Sequence, residues 1–400
     1  MPAPHLACWR CDWRGELAPL QACPRCAGTL LVGYDGGWPE WEAGGHGVWR
    51  YAPWLPPARR RISLGEGGTP LLRSRSLGDA VWLKNEAANP TLSFKDRPVA
   101  VAATLAVELG ASGLLCASTG NTAVSVAAYG ARAGLPAVCL VPDGTAAGKL
   151  RLVTGAGARL LRVAGTYSDA HALAAALAER TGWANLTTTY VNPFMLEGDK
   201  TLGLELFEQL GRAPDAVVVP VGAGPLLAGI GKAFEELAAA GRHAGAPPRL
   251  YAVQAAGCAP VARAFAEGAP VRAWDAPLAT RAGGIADPLA GYAADGDRTL
   301  AAVRATGGAA IAVGDDELAA AAGDLARGDG LAVELSAAAA AAGYRALRAM
   351  GRIAAEDTCV LVLTGHASKD PAGGADAADA SLGLVAPGAV EDAERALAQR

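Results

Sequence analysis

The stretch NPTLSFKDR, residues 89–97, places Lys95 after an Asn-Pro turn signal and before an alanine- and valine-rich run at 99–109. The spacing of apolar residues in that run predicts a helix, so Lys95 lies at the positive end of a helix dipole. A positive environment favours the neutral amine, which is the form that attacks a carbonyl carbon to give a Schiff base. An ordinary surface lysine near a helix start is the alternative, and this stretch alone does not decide between the two.

The rest of the chain alternates short apolar strands with helical segments. This alternation predicts parallel sheets covered by helices, in which ligands bind at the loops after the carboxyl ends of strands. The region 268–310 has no regular pattern and receives no assignment. The predicted strands are 81–86, 114–117, 137–142, 158–165, 216–222, 250–255 and 358–365, and the predicted helices after residue 110 are 123–134, 147–154, 168–181, 197–210, 226–240, 316–327 and 336–350.

We therefore predict an α/β protein with two doubly wound parallel-sheet domains and a small N-terminal module. Four tryptophans between residues 38 and 54 indicate that the segment after this module packs onto the main body. The predicted divisions are a CxxC/CxxC module at 1–34, a wrapped linker at 35–61, a large domain formed by 62–94 and 186–375, a small domain at 95–185, and a C-terminal tail at 376–400.

Composition and charge narrow the class of function. The 400 residues carry a formal net charge of −4 at pH 7, so the chain lacks the basic field that nucleic acid or an acidic membrane surface requires. The first residues show neither the basic nor the apolar part of a secretory signal, and no apolar run reaches the roughly 18 residues that span a bilayer. We therefore expect a cytoplasmic protein that acts on a small molecule, with no nucleic-acid or membrane partner.

The eight cysteines fall into two groups. Cys8, Cys11, Cys23 and Cys26 form two CxxC pairs, whereas the other four stand singly in apolar runs and are expected to be buried. Two CxxC turns can present four thiolates as a tetrahedron, and four thiolates leave no open position for a substrate. We therefore predict a structural Zn²⁺ site, with free or redox-active thiols as the alternative.

Two loops contain groups that suit anions. Residues 217–231, VVVPVGAGPLLAGIG, predict a strand, a glycine-rich turn and a helix, whose N–H groups could hold a phosphate. This segment matches neither GxGxxG nor a P-loop, so a plain strand-to-helix turn is the alternative. STGNT, 118–122, combines hydroxyls, an amide and a helix N-terminus, and it could bind a carboxylate or serve only as an N-cap.

The predicted strand at 358–365 leads into TGHASKD, residues 364–370. The hydroxyl of Thr364 would lie at the carboxyl end of this strand, where it could meet a ring nitrogen. His366 could be catalytic, but a loop histidine is more often a structural hydrogen-bonding group, and we expect that role for it.

Taken in order, these segments resemble the threonine synthase family within the fold type II pyridoxal-phosphate-dependent enzymes. The resemblance covers roughly residues 62–371, and the N-terminal cysteine ribbon also occurs on some members. It implies a large domain that binds the cofactor, and a lyase that removes the γ-phosphate of O-phosphohomoserine and adds water at Cβ to give threonine. The matching segments are NPTLSFKDR, STGNTAVSVAAYGARAG, VNPFMLEGDKT and LTGHASKDP.

The resemblance also implies roles for individual residues. Lys95 would form the Schiff base with pyridoxal 5′-phosphate and shuttle protons, Asn121 would bond to the phenolic oxygen of the cofactor, and Thr364 would face its pyridine nitrogen. A hydroxyl at that nitrogen leaves it unprotonated, which makes a weaker electron sink than a carboxylate partner would. The remaining implied contacts are backbone N–H groups of Gly222, Ala223, Gly224 and Leu226 to the cofactor phosphate, and Ser118, Thr119 and Thr122 to the α-carboxylate of the substrate.

Several positions depart from the family pattern, which usually reads NPTGSFKDRG, NPYRxEGQKT and TGHGLKDP. Met195 stands where we expect an arginine able to clamp a substrate phosphate, which methionine cannot do. Asp199 replaces a neutral glutamine, Leu92 and Pro98 replace glycines near Lys95, and Lys149 could still meet an anion.

These departures leave the substrate open. A β-elimination or β-replacement enzyme of the dehydratase or cysteate synthase type is the alternative within the same chemistry. A zinc-ribbon protein whose catalytic body only binds a ligand is the alternative from another class, and the intact lysine, asparagine and threonine argue against it. A homodimer is compatible with either enzyme.

Overall fold

The computed structural model describes residues 3–42, 44–143, 145 and 147–369, with only the backbone for 147–149. The predicted tail at 376–400 lies outside the described residues. The strands are β1 (Pro4–Cys8), β2 (Arg14–Gly15), β3 (Leu30–Tyr34), β4 (Leu71–Arg73), β5 (Val81–Asn85), β6 (Leu114–Ala117), β7 (Ala137–Pro142), β8 (Arg159–Val163), β9 (Ala184–Asn185), β10 (Ala216–Pro220), β11 (Arg249–Ala255), β12 (Ala309–Val313) and β13 (Cys359–Leu363). The α-helices are α1 (Asp96–Glu108), α2 (Asn121–Ala133), α3 (Ala147–Gly155), α4 (Tyr167–Thr181), α5 (Pro193–Leu210), α6 (Pro225–Ala239), α7 (Pro260–Glu267), α8 (Ala293–Ala305), α9 (Asp315–Asp324) and α10 (Leu335–Ala349).

The large sheet has the strand order β12-β11-β10-β13-β5-β4, and its neighbouring strands are parallel except for β4 with β5. Alternate residues of β10 face opposite layers. Val217 and Val219 pack in the apolar cluster that contains Leu227 of α6, whereas Val218 packs in the cluster that contains Ala338 of α10. Helices therefore cover both faces, which explains why this central strand is apolar at every position.

The small sheet has the order β8-β7-β6-β9, and its neighbouring strands are all parallel. Its central strand β6 also faces two apolar layers. Cys116 packs in the cluster that contains Val126 of α2, and Ala117 packs with Ala170 and Ala174 of α4. The prediction of an α/β protein with parallel sheets covered by helices is thereby confirmed.

The N-terminal strands form a separate antiparallel sheet with the order β2-β1-β3. Leu6 and Val32, which face each other across β1 and β3, are buried in the same apolar cluster as residues of α1. The segment that follows includes a 3-10 helix at Gly47–Trp54, and the fully buried Trp54 donates from Nε1 to the carbonyl of Pro39 at 2.8 Å. The module and the segment after it are therefore packed onto the main body.

Several parts of the secondary structure differ from the sequence prediction, and α7, for example, had no assignment. α5 begins at Pro193 and not at residue 197, because the side chain of Asn192 accepts from the N–H of Phe194 at 3.0 Å and caps the helix there. The unassigned region 268–310 contains α8 and the start of β12. Within the described residues, no helix combines the length and the apolar character needed to cross a membrane.

Candidate active site

The carboxyl ends of three neighbouring parallel strands form one edge of the large sheet. β10 is followed by the glycine-rich turn 222–224, β13 by Thr364, and β5 by the segment that leads to Lys95. The last two segments are joined directly, because the N–H of Phe94 donates to the carbonyl of Thr364 at 3.0 Å. The structure therefore brings the predicted lysine, turn and threonine to the same edge of the sheet.

Lys95 is half-buried immediately before α1, with its Nζ atom 4.2 Å from the ring centroid of Phe94. Among the described residues, its amine has no hydrogen-bond acceptor. Burial lowers the pKa of Lys95 to about 8, against the opposing charges of Asp199, Glu334 and Asp287. The sequence analysis attributed a larger neutral fraction of the Lys95 amine to the helix dipole, but in the structure this effect arises mainly from burial.

Two side chains hydrogen-bond to the glycine-rich turn after β10. Gln254 donates from Nε2 to the carbonyl of Gly222 at 3.0 Å, and Thr299 donates to the carbonyl of Ala223 at 2.5 Å. The hydroxyl of Thr299 in turn lies 2.9 Å from the hydroxyl of Tyr190. These contacts fix the carbonyl groups of Gly222 and Ala223.

The N–H groups of this turn are free and lie at the start of α6. Within the described part of the chain, those of Gly222, Ala223 and Gly224 have no acceptor, and the N–H of Leu226 belongs to the first helical turn, where intrahelical acceptors are lacking. Gly224 has a φ of +98°, and a Cβ atom there would lie 2.3 Å from Cγ2 of Thr299. Only glycine fits this position, and the turn suits an anion such as a phosphate.

Thr364 precedes Gly365, and the side chain of Asn121 lies against this glycine. Thr364 is 4% exposed, and its hydroxyl has no hydrogen-bond partner among the described residues. Asn121, the first residue of α2, donates from Nδ2 to Oε1 of Glu334 at 3.0 Å. A Cβ atom on Gly365 would lie 2.5 Å from the same Oε1 atom and 3.2 Å from Nδ2 of Asn121, so this glycine permits the close approach of both side chains.

The candidate carboxylate-binding residues in and after the loop before α2 differ in burial and in the hydrogen bonds they already make. The hydroxyl of Ser118 accepts from the N–H of Gly120 at 3.2 Å, and both Ser118 and Thr119 are half-buried. Thr122 is 5% exposed, and its hydroxyl is bonded to that of Thr188. Lys149 lies on α3, and its side chain is outside the described part of the chain.

Two other residues that the sequence analysis singled out are engaged away from the turn and the lysine. The Nδ1 atom of His366 lies 2.8 Å from Oγ of Ser368 within its own loop, in keeping with a structural role. Met195 is 1% exposed and packs in the apolar cluster that contains Phe194 and Val99. Position 195 therefore contributes to the core and brings no charge to the site.

The two replaced glycines near Lys95 differ in their consequences. Leu92 has a φ of +64°, the left-handed region in which glycine is favoured, and its side chain is 38% exposed. Pro98 lies in the first turn of α1, where a missing N–H costs little. The backbone thus keeps a glycine-like conformation at 92 at the cost of local strain, while Pro98 is compatible with the helix.

The sequence analysis missed two acidic residues near Lys95, Asp287 and Glu334. Oδ1 of Asp287 accepts from the hydroxyl of Tyr292 at 2.6 Å, and the ring of Tyr292 stacks on His171 of α4 with centroids 4.3 Å apart. Burial raises the pKa of Asp287 and lowers that of His171. Asp287 and Tyr292 lie in the region that had no regular pattern, so no spacing signal could have identified them.

The four N-terminal cysteines converge as their spacing predicted. Their Sγ atoms all lie within 4.8 Å of one another, with Cys8 and Cys26 separated by 3.5 Å. Burial disfavours the Cys8 thiolate, but the N–H of Arg10 donates to it at 3.3 Å, and together the local hydrogen bonds lower its pKa to about 7. The remaining cysteines, 116, 139, 258 and 359, are buried as expected.

Comparison with known proteins agrees with this geometry. The family of pyridoxal-phosphate dependent enzymes matches residues 62–365. A threonine synthase from Methanosarcina acetivorans is 38% identical over 382 residues, covering 92% of both chains, and one from Methanocaldococcus jannaschii is 39% identical over 335 residues, covering 81% of both. The processed form of threonine deaminase isoform 2 from Solanum lycopersicum superimposes with a TM-score of 0.62 at 25% identity, covering 74% of this chain and 83% of that one.

The matched family segment contains Lys95, the glycine-rich turn and Thr364, and the similarity to the two archaeal relatives extends over most of the chain. The chain therefore belongs to the pyridoxal-phosphate-dependent enzymes, among which it is a threonine synthase-like lyase.

Proposed function

We propose that this protein converts O-phosphohomoserine to threonine, with loss of the γ-phosphate and addition of water at Cβ, and that Lys95 carries the cofactor. One observation supports this above the others. In a chain similar to threonine synthases, Lys95, the turn 222–224 and Thr364 lie at one edge of three adjacent parallel strands. Ligands of open α/β sheets bind at such an edge.

The described residues fit pyridoxal 5′-phosphate at three points. Lys95 offers an amine without a hydrogen-bond acceptor, the turn 222–224 offers free N–H groups at a helix N-terminus, and Thr364 offers an unpartnered hydroxyl, each statement holding for the described residues. When bound, this cofactor supplies an electron sink for negative charge that develops on the substrate. A hydroxyl at Thr364 would leave the ring nitrogen without an added proton.

The remaining groups would orient the substrate and move protons. Lys95, whose pKa is lowered to about 8, would accept and return protons near neutral pH. Ser118 and Thr119, beside the N-terminus of α2, would hold the α-carboxylate, while Thr122 would support the loop through Thr188. Asn121, oriented by Glu334, would contact the phenolic oxygen of the cofactor. The substrate would then lie between the small domain, 95–185, and the large domain, 62–94 with 186–375.

Product analysis tests this proposal. The purified protein, loaded with pyridoxal 5′-phosphate, should release phosphate and form threonine from O-phosphohomoserine. Lys95→Ala should lose both the product and the visible absorption of the bound cofactor. Retention of full activity by Lys95→Ala, or the absence of cofactor binding by the parent protein, would refute the assignment of Lys95.

A second candidate function is β-elimination or β-replacement on an amino acid without a phosphate. It is favoured by the charge around Lys95, where Asp199, Glu334 and Asp287 are all acidic, and by the apolar burial of Met195. Release of ammonia and a 2-oxoacid from serine or threonine, without phosphate release from O-phosphohomoserine, would distinguish this reaction from the first.

We further infer that the four N-terminal cysteines bind a structural Zn²⁺ ion. Four thiol sulfurs within 4.8 Å of one another, in a module with a small antiparallel sheet, match the donor set of a closed zinc site. Metal analysis of the full-length protein should find one equivalent of zinc, and Cys23→Ser should lower this content. A full-length protein that folds and retains no zinc after dialysis against zinc-containing buffer would contradict the inference.

A further inference from the structure

Asp199 on α5 is a fully buried carboxylate whose two oxygens have no hydrogen-bond partner among the described residues. Two glycines bring the neighbouring helices against it. A Cβ atom on Gly198 would lie 2.3 Å from the carbonyl oxygen of Arg97 at the start of α1. A Cβ atom on Gly229 of α6 would lie 2.7 Å from Cβ of Asp199. The carboxylate is therefore enclosed at the point where α5 meets both α1 and α6.

The other buried acids of α5 are paired, so the lack of a partner at Asp199 requires an explanation. Glu197 accepts from Lys200 at 2.6 Å, and Glu205 accepts from Lys84 at 2.5 Å. Burial of a carboxylate without a partner is costly, and a protein that retains one commonly uses it.

Lys95 is the strongest opposing charge that acts on Asp199. Burial raises the pKa of Asp199 to about 7. Among the charges that lower this pKa, Lys95 has the largest effect and Arg97 the second largest. Conversely, among the charges that raise the pKa of Lys95 and so favour its ammonium form, Asp199 has the largest effect. No hydrogen bond links the two side chains in the described structure, so their coupling is electrostatic.

The other charges near Asp199 are already engaged. Arg97 donates to Glu86 from Nε at 2.7 Å and to Glu205 from Nη1 at 2.9 Å. On α6, the uncharged Gly229 lies against Asp199. Four charged or titratable groups act on this position from the surrounding elements: Lys95 before α1, Arg97 of α1, Glu86 after β5, and Tyr190 before α5. Lys232 of α6 pairs with Glu197 and Glu236.

We propose that Asp199 is a positioning residue for Lys95, a buried counter-charge that sets how much of the amine is protonated when it is not bonded to the cofactor. This proposal rests on the proposed role of Lys95. The negative carboxylate favours the protonated form of the Lys95 amine. When the carboxylate is removed by mutation, the amine should become neutral at a lower pH. Asp199 acts through Lys95 and is not itself assigned a contact with substrate.

The test measures the protonation of Lys95 directly. The full-length protein, without added cofactor, is labelled with acetic anhydride at a series of pH values, and acetylation of Lys95 is quantified by mass spectrometry. Asp199→Asn should move the midpoint of Lys95 labelling down by about 1 pH unit, as expected for the loss of a nearby opposite charge. When the cofactor-free protein is reconstituted to the holoenzyme, the pH profile of cofactor uptake, followed by visible absorption, should move in the same direction.

Asp96→Asn is the matched control. Asp96 is also buried and adjoins Lys95 in sequence, but it accepts from Thr91 and Ser125 and is not among the charges that act on Lys95. This variant should leave the labelling midpoint in place. An unchanged midpoint in folded Asp199→Asn, or an equal shift in Asp96→Asn, would overturn the proposal.

Two further points keep the test decisive. If Asp199→Asn does not fold, Asp199→Ser, which is smaller and also neutral, replaces it with the same expected shift. Labelling of the cofactor-free protein reports on the Lys95 amine whether or not Lys95 is the residue that binds the cofactor, whereas Lys95→Ala reports on cofactor attachment. A normal labelling shift with no effect of Lys95→Ala would therefore sink the proposed function and leave the electrostatic coupling established.

Discussion

α5 borders two buried charged regions that are built in opposite ways. On one side, Arg97 lies in an ion-pair network in which each charge has a partner. On the other side, Lys95 and Asp199 interact electrostatically but have no hydrogen bond among the described residues. The paired region joins secondary structure elements, and the unpaired region leaves polar atoms available to a ligand. The members of the paired network are Lys84, Glu86, Arg97 and Glu205.

This difference separates buried charges that stabilise the fold from those that we propose to act in the chemistry. The paired network links β5, α1 and α5, and its members are 0–4% exposed in their side chains. Beside the unpaired region, the hydroxyls of Ser93 and Thr364 also lack partners among the described residues. Polar groups at a sheet edge that lack a hydrogen-bond partner are more informative about function than those that have one.

The largest expected effect comes from breaking the paired network. Arg97→Met removes the shared partner of Glu86 and Glu205 and leaves their carboxylates buried without it, which should lower the free energy of unfolding by about 3–5 kcal/mol. Lys95→Met, two residues earlier, removes an amine that pairs with nothing in the described structure and should change stability by less than about 1 kcal/mol. Chemical denaturation of both variants, without cofactor, measures the contrast. Equal destabilisation by the two substitutions would show that the distinction is wrong.

The pH dependence of stability should have opposite signs in the two regions. Burial raises the pKa values of Glu86 and Glu205, but Arg97 outweighs it and both are lowered, so their contribution is complete above about pH 4.3 and is lost as pH falls below it. The pKa of Asp199 is raised to about 7, so its ionisation destabilises the fold as pH rises from about 4 towards 7.

The variant Asp199→Asn isolates the second of these effects. It should be about as stable as the parent protein at pH 4, and more stable by on the order of 2 kcal/mol at pH 8, because the parent must then bury a charge. Denaturation midpoints at both pH values measure this difference. A variant that is less stable at pH 8 than the parent would contradict it.

The chemistry of the site was more accessible to sequence reasoning than its electrostatics. Lys95, the turn 222–224 and Thr364 each follow a strand whose apolar run is short and bounded, so topology alone brings them to one edge. Asp287 and Glu334 follow no periodic pattern, and their proximity to Lys95 depends on how loops from distant parts of the chain pack. A sequence pattern reports local geometry, whereas a counter-charge is a property of the folded interior.

The same limit applies to backbone and burial at the replaced positions. The strand and helix boundaries around Leu92 were predictable, but its φ of +64° was visible only as a departure from an expected glycine. At position 195, the family pattern led us to expect a phosphate-binding arginine, and this expectation did not predict that Met195 lies in the core. The burial of Met195 follows from α5, which starts earlier than its apolar pattern indicated.

A second paired network links the N-terminal module to α5 and gives the smallest predicted effect. The hydroxyl of Tyr34, at the end of β3, donates to Oε2 of Glu197 at 2.5 Å, and the same oxygen accepts from Lys200 at 2.6 Å. The Nζ atom of Lys200 also lies 4.5 Å from the centroid of the Tyr34 ring. The module is therefore attached to the catalytic body through a buried charge.

Tyr34→Phe keeps the ring over Lys200 and removes only the hydroxyl. Because Glu197 retains Lys200 and Lys232 as partners, the loss should be about 1.5 kcal/mol, the lower end for a hydrogen bond to a charged group. Tyr251→Phe is the control, since its hydroxyl donates at 2.7 Å to the neutral carbonyl of Arg352 and should cost about 0.5–1 kcal/mol. Urea denaturation of both variants compares them. A smaller loss for Tyr34→Phe than for the control would mean that the paired charges hold α5 and α6 together without help from the module.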